Sequence, residues 1–165
     1  MRSINYFFFS LTCLGLLGAA LWLQHYGYSG INYAPCPLCI LQRIGYLGIG
    51  IACLFAGLFK PLRKLLHLVA IGFALFGLAV ACRQIWVIIH PTVSCGLDPL
   101  EVFINQFGLT QSAPWFFKAD GFCSAPLPPL LGLSVPTWST IWFAILLTSL
   151  IITLVISPSK RIPKK

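Results

Sequence analysis

The sequence predicts an all-α membrane protein, a four-transmembrane-helix bundle with a short amphipathic interfacial helix in its second outer loop. Three observations carry that expectation. The 165 residues are 58% hydrophobic and only 8% charged, whereas a soluble domain carries about 25% charged residues to cover its water-facing surface. Four apolar stretches are each long enough to cross a bilayer, which takes roughly 20 residues at about 1.5 Å of rise per residue. The 11 Lys and Arg residues, which bring the net charge to +8, cluster at the ends of those stretches. That distribution is a topology signal and not a basic face for nucleic acid. The length suits one integral-membrane domain over residues 1–165.

The spans fall at about residues 7–24, 40–59, 66–89 and 137–156, with outer loops at about 25–39 and 90–136. Span one has a basic start at Arg2, and the small residues Gly18 and Ala20 resemble a leader cleavage site. The apolar run continues through Leu21, Trp22 and Leu23, so it reads as a span. In span two Gly48, Ala52 and Ala56 recur every four residues, a small-residue stripe for close helix packing. Pro61 breaks the chain between spans two and three, and Pro158 stops span four. His25 and His67 read as interfacial residues, and His90 as a cap at the outer end of span three.

Charge orients the bundle. Arg2, the hairpin with Lys60, Arg63 and Lys64, and the tail with Lys160, Arg161, Lys164 and Lys165 all fall on one side of four spans. That side is cytoplasmic by the positive-inside rule, so both termini are cytoplasmic. The opposite side carries Lys118 against Asp98, Glu101 and Asp120.

In the second outer loop Asp98-Pro99-Leu100-Glu101 reads as a helix start, with an acidic N-cap and proline at the first position. Leu100, Phe103, Ile104 and Phe107 then repeat at helical spacing up to Gly108, which predicts the amphipathic helix lying in the outer interface.

The seven cysteines divide by location. Cys13, Cys53 and Cys82 lie inside spans and read as small apolar packing residues. Cys36, Cys39, Cys95 and Cys123 lie outside, facing the periplasm or cell exterior, where disulfides persist. Cys36-Pro37-Leu38-Cys39 would close a very short ring, which contributes little as a staple and points to redox chemistry. Cys39 falls at the start of span two, where the helix N-terminus stabilises a thiolate. Cys36 precedes the helix and reads as the more accessible of the two. A structural zinc site usually needs four ligands; a lone CxxC supplies two, and Cys95 and Cys123 form no second tight pair, so no metal is expected.

Arg43 follows Cys39 by one helical turn, about 6 Å along the axis. An arginine inside the outer rim of a span usually marks a function. It either holds Cys39 as a thiolate, hydrogen-bonds the carbonyl of a lipid-dissolved quinone, or snorkels to the headgroups. Arg83, near the outer end of span three, reads as a snorkelling anchor.

Cys36-Pro37-Leu38-Cys39-Ile40-Leu41-Gln42-Arg43 resembles the Cys-X-Leu-Cys-X-X-(Glu/Gln)-Arg signature of the disulfide bond formation protein B (DsbB) family. Leu21-Trp22-Leu23-Gln24-His25 resembles the end of that family's first helix. Cys123, Leu131-Gly132-Leu133 and Val135-Pro136-Thr137-Trp138 resemble its second loop running into helix four. The resemblance covers nearly the whole chain in order.

It implies a quinone-dependent enzyme of the bacterial inner membrane that reoxidises a periplasmic thioredoxin-like oxidase (DsbA-like). The implied catalytic residues are Cys36, Cys39, Cys95 and Cys123. Cys95 would form the mixed disulfide with the oxidase. Electrons would pass through a transient Cys36–Cys123 bridge to the Cys36–Cys39 pair, and Cys39 would reduce a quinone, ubiquinone or menaquinone, beside Arg43. Two features depart from the pattern modestly: the long stretch from His25 to Cys36, and the proline inside the CxxC.

Other classes remain open to this sequence. A vitamin K epoxide reductase-like enzyme also couples CxxC to a quinone, but its pair lies within a late helix. A membrane metal transporter would place cysteines along a path inside the spans. A structural membrane subunit would keep both pairs as permanent staples.

Overall fold

The computed structural model describes residues 3–27, 33–90, 113–117, 121 and 129–156. Four long helices dominate: α1 (Ser3–Tyr26), α2 (Pro37–Leu58), α3 (Arg63–Ile89) and α5 (Val135–Ile156), with the single turn α4 (Pro114–Phe117) before the last. Each long helix is apolar enough over at least 18 residues to cross a membrane. The expected four-span, all-helical class is therefore what the chain adopts. The amphipathic helix expected after Asp98 lies outside the described residues.

The helices form because apolar runs of this length leave the backbone no partner but itself once water is excluded. Their ends are set by local chemistry. Helix α2 starts earlier than its apolar run because Pro37 sits at its first turn and Cys36 is its N-cap, with extended backbone (φ −85°, ψ 167°). The Lys60–Leu62 turn joins α2 to α3 and makes them antiparallel neighbours. Ahead of α5, Leu130 and Leu133 exchange backbone hydrogen bonds of 2.8 and 3.2 Å around a tight turn. Both central residues have positive φ, Leu131 at 52° and Gly132 at 88°, which glycine tolerates and leucine rarely adopts. Trp138 Nε1 donates to Leu130 O at 2.9 Å and ties that turn to the helix.

Helix α2 packs on α1 and α3, and α3 packs on α5. The core holds Tyr6, Cys13 and Leu17 of α1, Ile49, Cys53 and Ala56 of α2, Ala70, Ala74 and Ala81 of α3, and Phe143, Leu146 and Leu150 of α5. Phe143 is the keystone. Its ring stacks on Tyr46 at 4.1 Å between centroids and lies against Gly45 and Gly77, where any Cβ would meet it. Close approach through small residues is how apolar helices gain contact in lipid. Of the expected stripe, Ala52 and Ala56 are buried, and Gly48 faces the ring of Phe73. Large apolar side chains such as Phe8, Leu11, Leu14, Leu75 and Ile145 cover the outside, a surface suited to hydrocarbon and not to water.

Two residues, Cys82 and His67, depart from the expected placement. Cys13 and Cys53 are buried packing residues, but Cys82 is exposed on α3. His67 is not interfacial: it is buried, its Nε2 donates to Leu150 O at 3.0 Å, and its ring meets Tyr6 edge-on at 5.7 Å. Its Nδ1 is sealed without a hydrogen-bond partner. At the same end of the bundle Arg63 Nε donates to Ala56 O at 3.0 Å, and its guanidinium lies 5.6 Å from the Tyr6 ring centroid. His25 and His90 are exposed at the opposite end, His90 stacked on Trp86 at 4.9 Å.

Candidate functional site

The C-terminal ends of α1 and α3 and the N-terminal ends of α2 and α5 meet at one end of the bundle, and the CxxC lies there. Cys36 Sγ and Cys39 Sγ are 3.0 Å apart. The geometry follows from the helix start. An N-cap side chain accepts the backbone N–H of the third helical residue, and here Cys39 N donates to Cys36 Sγ at 3.4 Å. Proline at the intervening first position needs no donor of its own. The helix-end stabilisation that the sequence assigns to Cys39 therefore falls on the sulfur of Cys36.

Accessibility is also the reverse of expectation. Cys36 is only 2% exposed, packed with Leu38, Val80 and Val87, while Cys39 packs at the edge of that cluster and is half-buried. Cys36 is covered because the cap turns its side chain back over the helix start and under α3.

The partner from α3 is Gln84, a residue that sequence reasoning misses. Its Nε2 lies 3.4 Å from Cys36 Sγ and 3.3 Å from Cys39 Sγ. Its Oε1 accepts from Gln42 Nε2 at 2.6 Å. Both glutamines are buried, at 6% and 5% exposure for Gln42 and Gln84. Leaving such amides unpaired would cost about 1–3 kcal/mol each, and they satisfy one another across the α2–α3 contact. Val80, Gln84 and Val87 recur at i, i+4 and i+7 and so share one face of α3. The signal in the sequence is a polar residue inside an apolar span, next to the more conspicuous Arg83.

Arg43 is buried too, at 6% exposure. Its Nη1 donates to Gln24 Oε1 at 2.7 Å and to Phe116 O at 3.0 Å. Its guanidinium carbon lies 5.9 Å from the Phe116 ring centroid. It is thus anchored to α1 and α4 and does not snorkel. Both bonds leave from Nη1. A guanidinium carries five N–H donors, so those on Nε and Nη2 have no hydrogen-bond partner among the described residues. Neither atom is sealed, since His67 Nδ1 is the one buried side-chain polar atom there without a partner. Cys39 and Arg43 stand at i and i+4 and share a face of α2. A half-buried sulfur and an arginine with uncommitted donors on one face, beside the Phe116 and Phe117 rings, suit a flat, apolar acceptor bearing a carbonyl. Arg83 is exposed, in keeping with an anchor.

Cys95 and Cys123 lie outside the described residues. Two residues before Cys123, Gly121 N donates to Pro35 O at 3.0 Å. The approach is so close that a Cβ at Gly121 would collide with the carbonyl of Ala34.

The chain matches the family model described as "Disulfide bond formation protein DsbB" over residues 2–153. It is 42% identical over 146 residues to a disulfide bond formation protein B of Cupriavidus necator, covering 88% of each chain. A protein of the same description from Ralstonia nicotianae is 40% identical, with 88% of this chain and 89% of the relative covered. "Disulfide bond formation protein B 1" of Pseudomonas putida is 37% identical over 153 residues, 92% of this chain and 88% of the relative.

Proposed function

The chain belongs to the DsbB family of disulfide bond formation proteins, quinone-linked thiol oxidoreductases of the membrane, and on that premise we propose the route its electrons take. A reduced periplasmic DsbA-like oxidase attacks the Cys95–Cys123 disulfide at Cys95. Cys123 then attacks the Cys36–Cys39 disulfide at Cys36 and releases Cys39. The second thiol of the oxidase displaces Cys95, and the oxidase leaves as its disulfide. Cys95 then takes Cys123 back from Cys36, which re-forms Cys95–Cys123 and leaves the Cys36–Cys39 pair as the dithiol. Each exchange needs a thiolate and a reachable sulfur. A bound quinone, ubiquinone or menaquinone, supplies the sink for two electrons and two protons.

The observation that carries this reading is the Cys36–Cys39 sulfur pair at 3.0 Å, with Arg43 one turn deeper on the same helix face. Closing that pair forms the S–S bond and releases two electrons and two protons. Arg43 would hold a quinone carbonyl through Nε and Nη2, while Gln24 and the Phe116 carbonyl keep its guanidinium in place. Hydrogen bonds aimed at an oxygen that gains charge stabilise the product side of such a transfer. The Gly121–Pro35 bond supports the exchange between the two cysteine segments, because it sits two residues before Cys123 and one before Cys36.

The site lies on the periplasmic face of the bacterial inner membrane, and both termini are cytoplasmic. The basic Lys60–Lys64 hairpin supports this, since it falls at the bundle end opposite the cysteines.

The test uses purified protein, a reduced DsbA-like oxidase and a soluble quinone, with Cys39→Ser and Cys95→Ser variants. Quinone reduction should stop in both. A small dithiol that reduces the CxxC directly should restore it in Cys95→Ser alone. Normal turnover of both variants would overturn the route.

A further inference from the structure

We propose that Gln84 is a catalytic residue of the thiol chemistry, whose side-chain amide, oriented by Gln42, donates to both sulfurs and favours the reduced pair over the disulfide. The inference rests on the reading of Cys36–Cys39 as the electron-carrying pair.

The geometry sets its direction. Gln84 Oε1 is engaged by Gln42 Nε2 at 2.6 Å, which turns Nε2 of Gln84 toward the sulfurs. At 3.4 Å from Cys36 and 3.3 Å from Cys39, one amide group spans the pair, with a proton for each. A thiolate accepts a charge-assisted hydrogen bond, roughly twice as strong as a neutral one. A disulfide sulfur is a weak, neutral acceptor. Donation from Gln84 is therefore worth more to the reduced pair. The walls around it, Leu38, Val80 and Val87, exclude water that would otherwise compete, and low local polarity strengthens the bond.

Arg43 is the nearest fixed charge along α2, and its Nη1 bonds point to Gln24 and Phe116 instead of to the sulfurs. Gln84 is thus the side chain from the facing helix that addresses both. Taking electrons from the reduced form of a strongly oxidising partner needs a CxxC that is easily reduced, and this amide moves the pair in that direction. Gln42 is a positioning residue: it touches neither sulfur in these contacts and acts through Gln84.

The experiment equilibrates the full-length protein with glutathione. One disulfide plus two glutathione thiols gives one dithiol plus one glutathione disulfide. The state of the Cys36–Cys39 peptide is then read by mass spectrometry after acid quench and alkylation. Gln84→Leu should lower the equilibrium constant for reduction about tenfold, which is about 30 mV for a two-electron couple. Gln84→Glu keeps the shape but presents carboxylate oxygens in place of the donors, and should lower the constant further. Gln42→Leu should shift it in the same direction by less. Thermal unfolding of each variant in detergent identifies those that remain folded. Should Gln84→Leu fail to fold, the near-isosteric Gln84→Glu decides.

A wild-type constant in a folded Gln84→Glu or Gln84→Leu protein overturns the proposal. The two failures read separately. Quinone-linked turnover by Cys39→Ser would defeat the underlying reading, whereas an unmoved glutathione constant defeats the role of Gln84 alone.

Discussion

Arg43 Nη1 donates to Gln24 Oε1 at 2.7 Å, a bond from α2 to α1 that spans 19 residues of sequence. It fixes a buried cation by an uncharged partner, so the arginine keeps its full charge for whatever meets its other donors.

That bond makes the first prediction. Gln24→Leu leaves Arg43 with the Phe116 carbonyl only and lets the guanidinium turn. A hydrogen bond to a charged group is worth about 1.5–3 kcal/mol, so the KM for quinone should rise at least about tenfold. Turnover at saturating quinone should fall as well, since the displaced guanidinium also stabilises the charge that the carbonyl gains. Steady-state kinetics with a soluble quinone would check both parameters; an unchanged KM would show that Gln24 does not hold the arginine in place.

Packing around Phe143 yields a comparison of two glycines. A Cβ at Gly77 would enter the Phe143 ring, and one at Gly48 would enter the ring of Phe73. Phe143 is fully buried and cannot move aside, whereas Phe73 is half-buried at the edge of the core. Overpacking a filled core costs about 1–3 kcal/mol. Gly77→Ala should therefore lower the unfolding temperature in detergent clearly more than Gly48→Ala. Equal shifts would contradict the packing described.

The three cysteines within the spans should differ in reactivity. Cys82 is exposed on the surface of α3, while Cys13 and Cys53 are 0% exposed in the core. A lipid-soluble maleimide applied to the native protein should label Cys82 and spare the other two, which react only after unfolding. Cys82→Ala should leave quinone turnover at the wild-type level.

His67 joins α3 to α5 through one nitrogen only. Glutamine can place its Nε2 near the position of the imidazole Nε2, so His67→Gln should retain the bond to Leu150 O and stay within about 1 kcal/mol of wild-type stability. His67→Ala removes the bond and leaves a cavity, at a cost of about 2–4 kcal/mol. Unfolding by a denaturing detergent would rank the two; equal stability would mean that the Leu150 contact carries nothing.

The four spans are legible in the sequence because a membrane demands long apolar runs and no tertiary context to recognise them. The cysteine pair at the head of α2 is legible too, since its spacing is local. Other features depend on which face of each helix meets a neighbour. Helix α3 is apolar all round, so nothing in its pattern separates exposed Cys82 from buried Gln84 and His67. The exchange of exposure between Cys36 and Cys39 turns on the cap: Pro37 announces a first helical position, and reading it that way makes Cys36 the capping residue. A polar residue inside an apolar span flags Gln84, but what it touches follows only from placing α3 against α2, because its partners lie 42 to 48 residues away.

The backbone bond from Gly121 to Pro35 has a kinetic consequence. Two peptide units separate Gly121 from Cys123, a leash of about 7 Å at full extension. In the proposed exchange a sulfur on so short a leash would meet Cys36 at a local concentration on the order of millimolar or more, however dilute the protein is in the bilayer. Internal thiol exchange should then proceed at the same rate in crowded and sparse membranes, leaving the arrival of the soluble donor as the step that responds to supply.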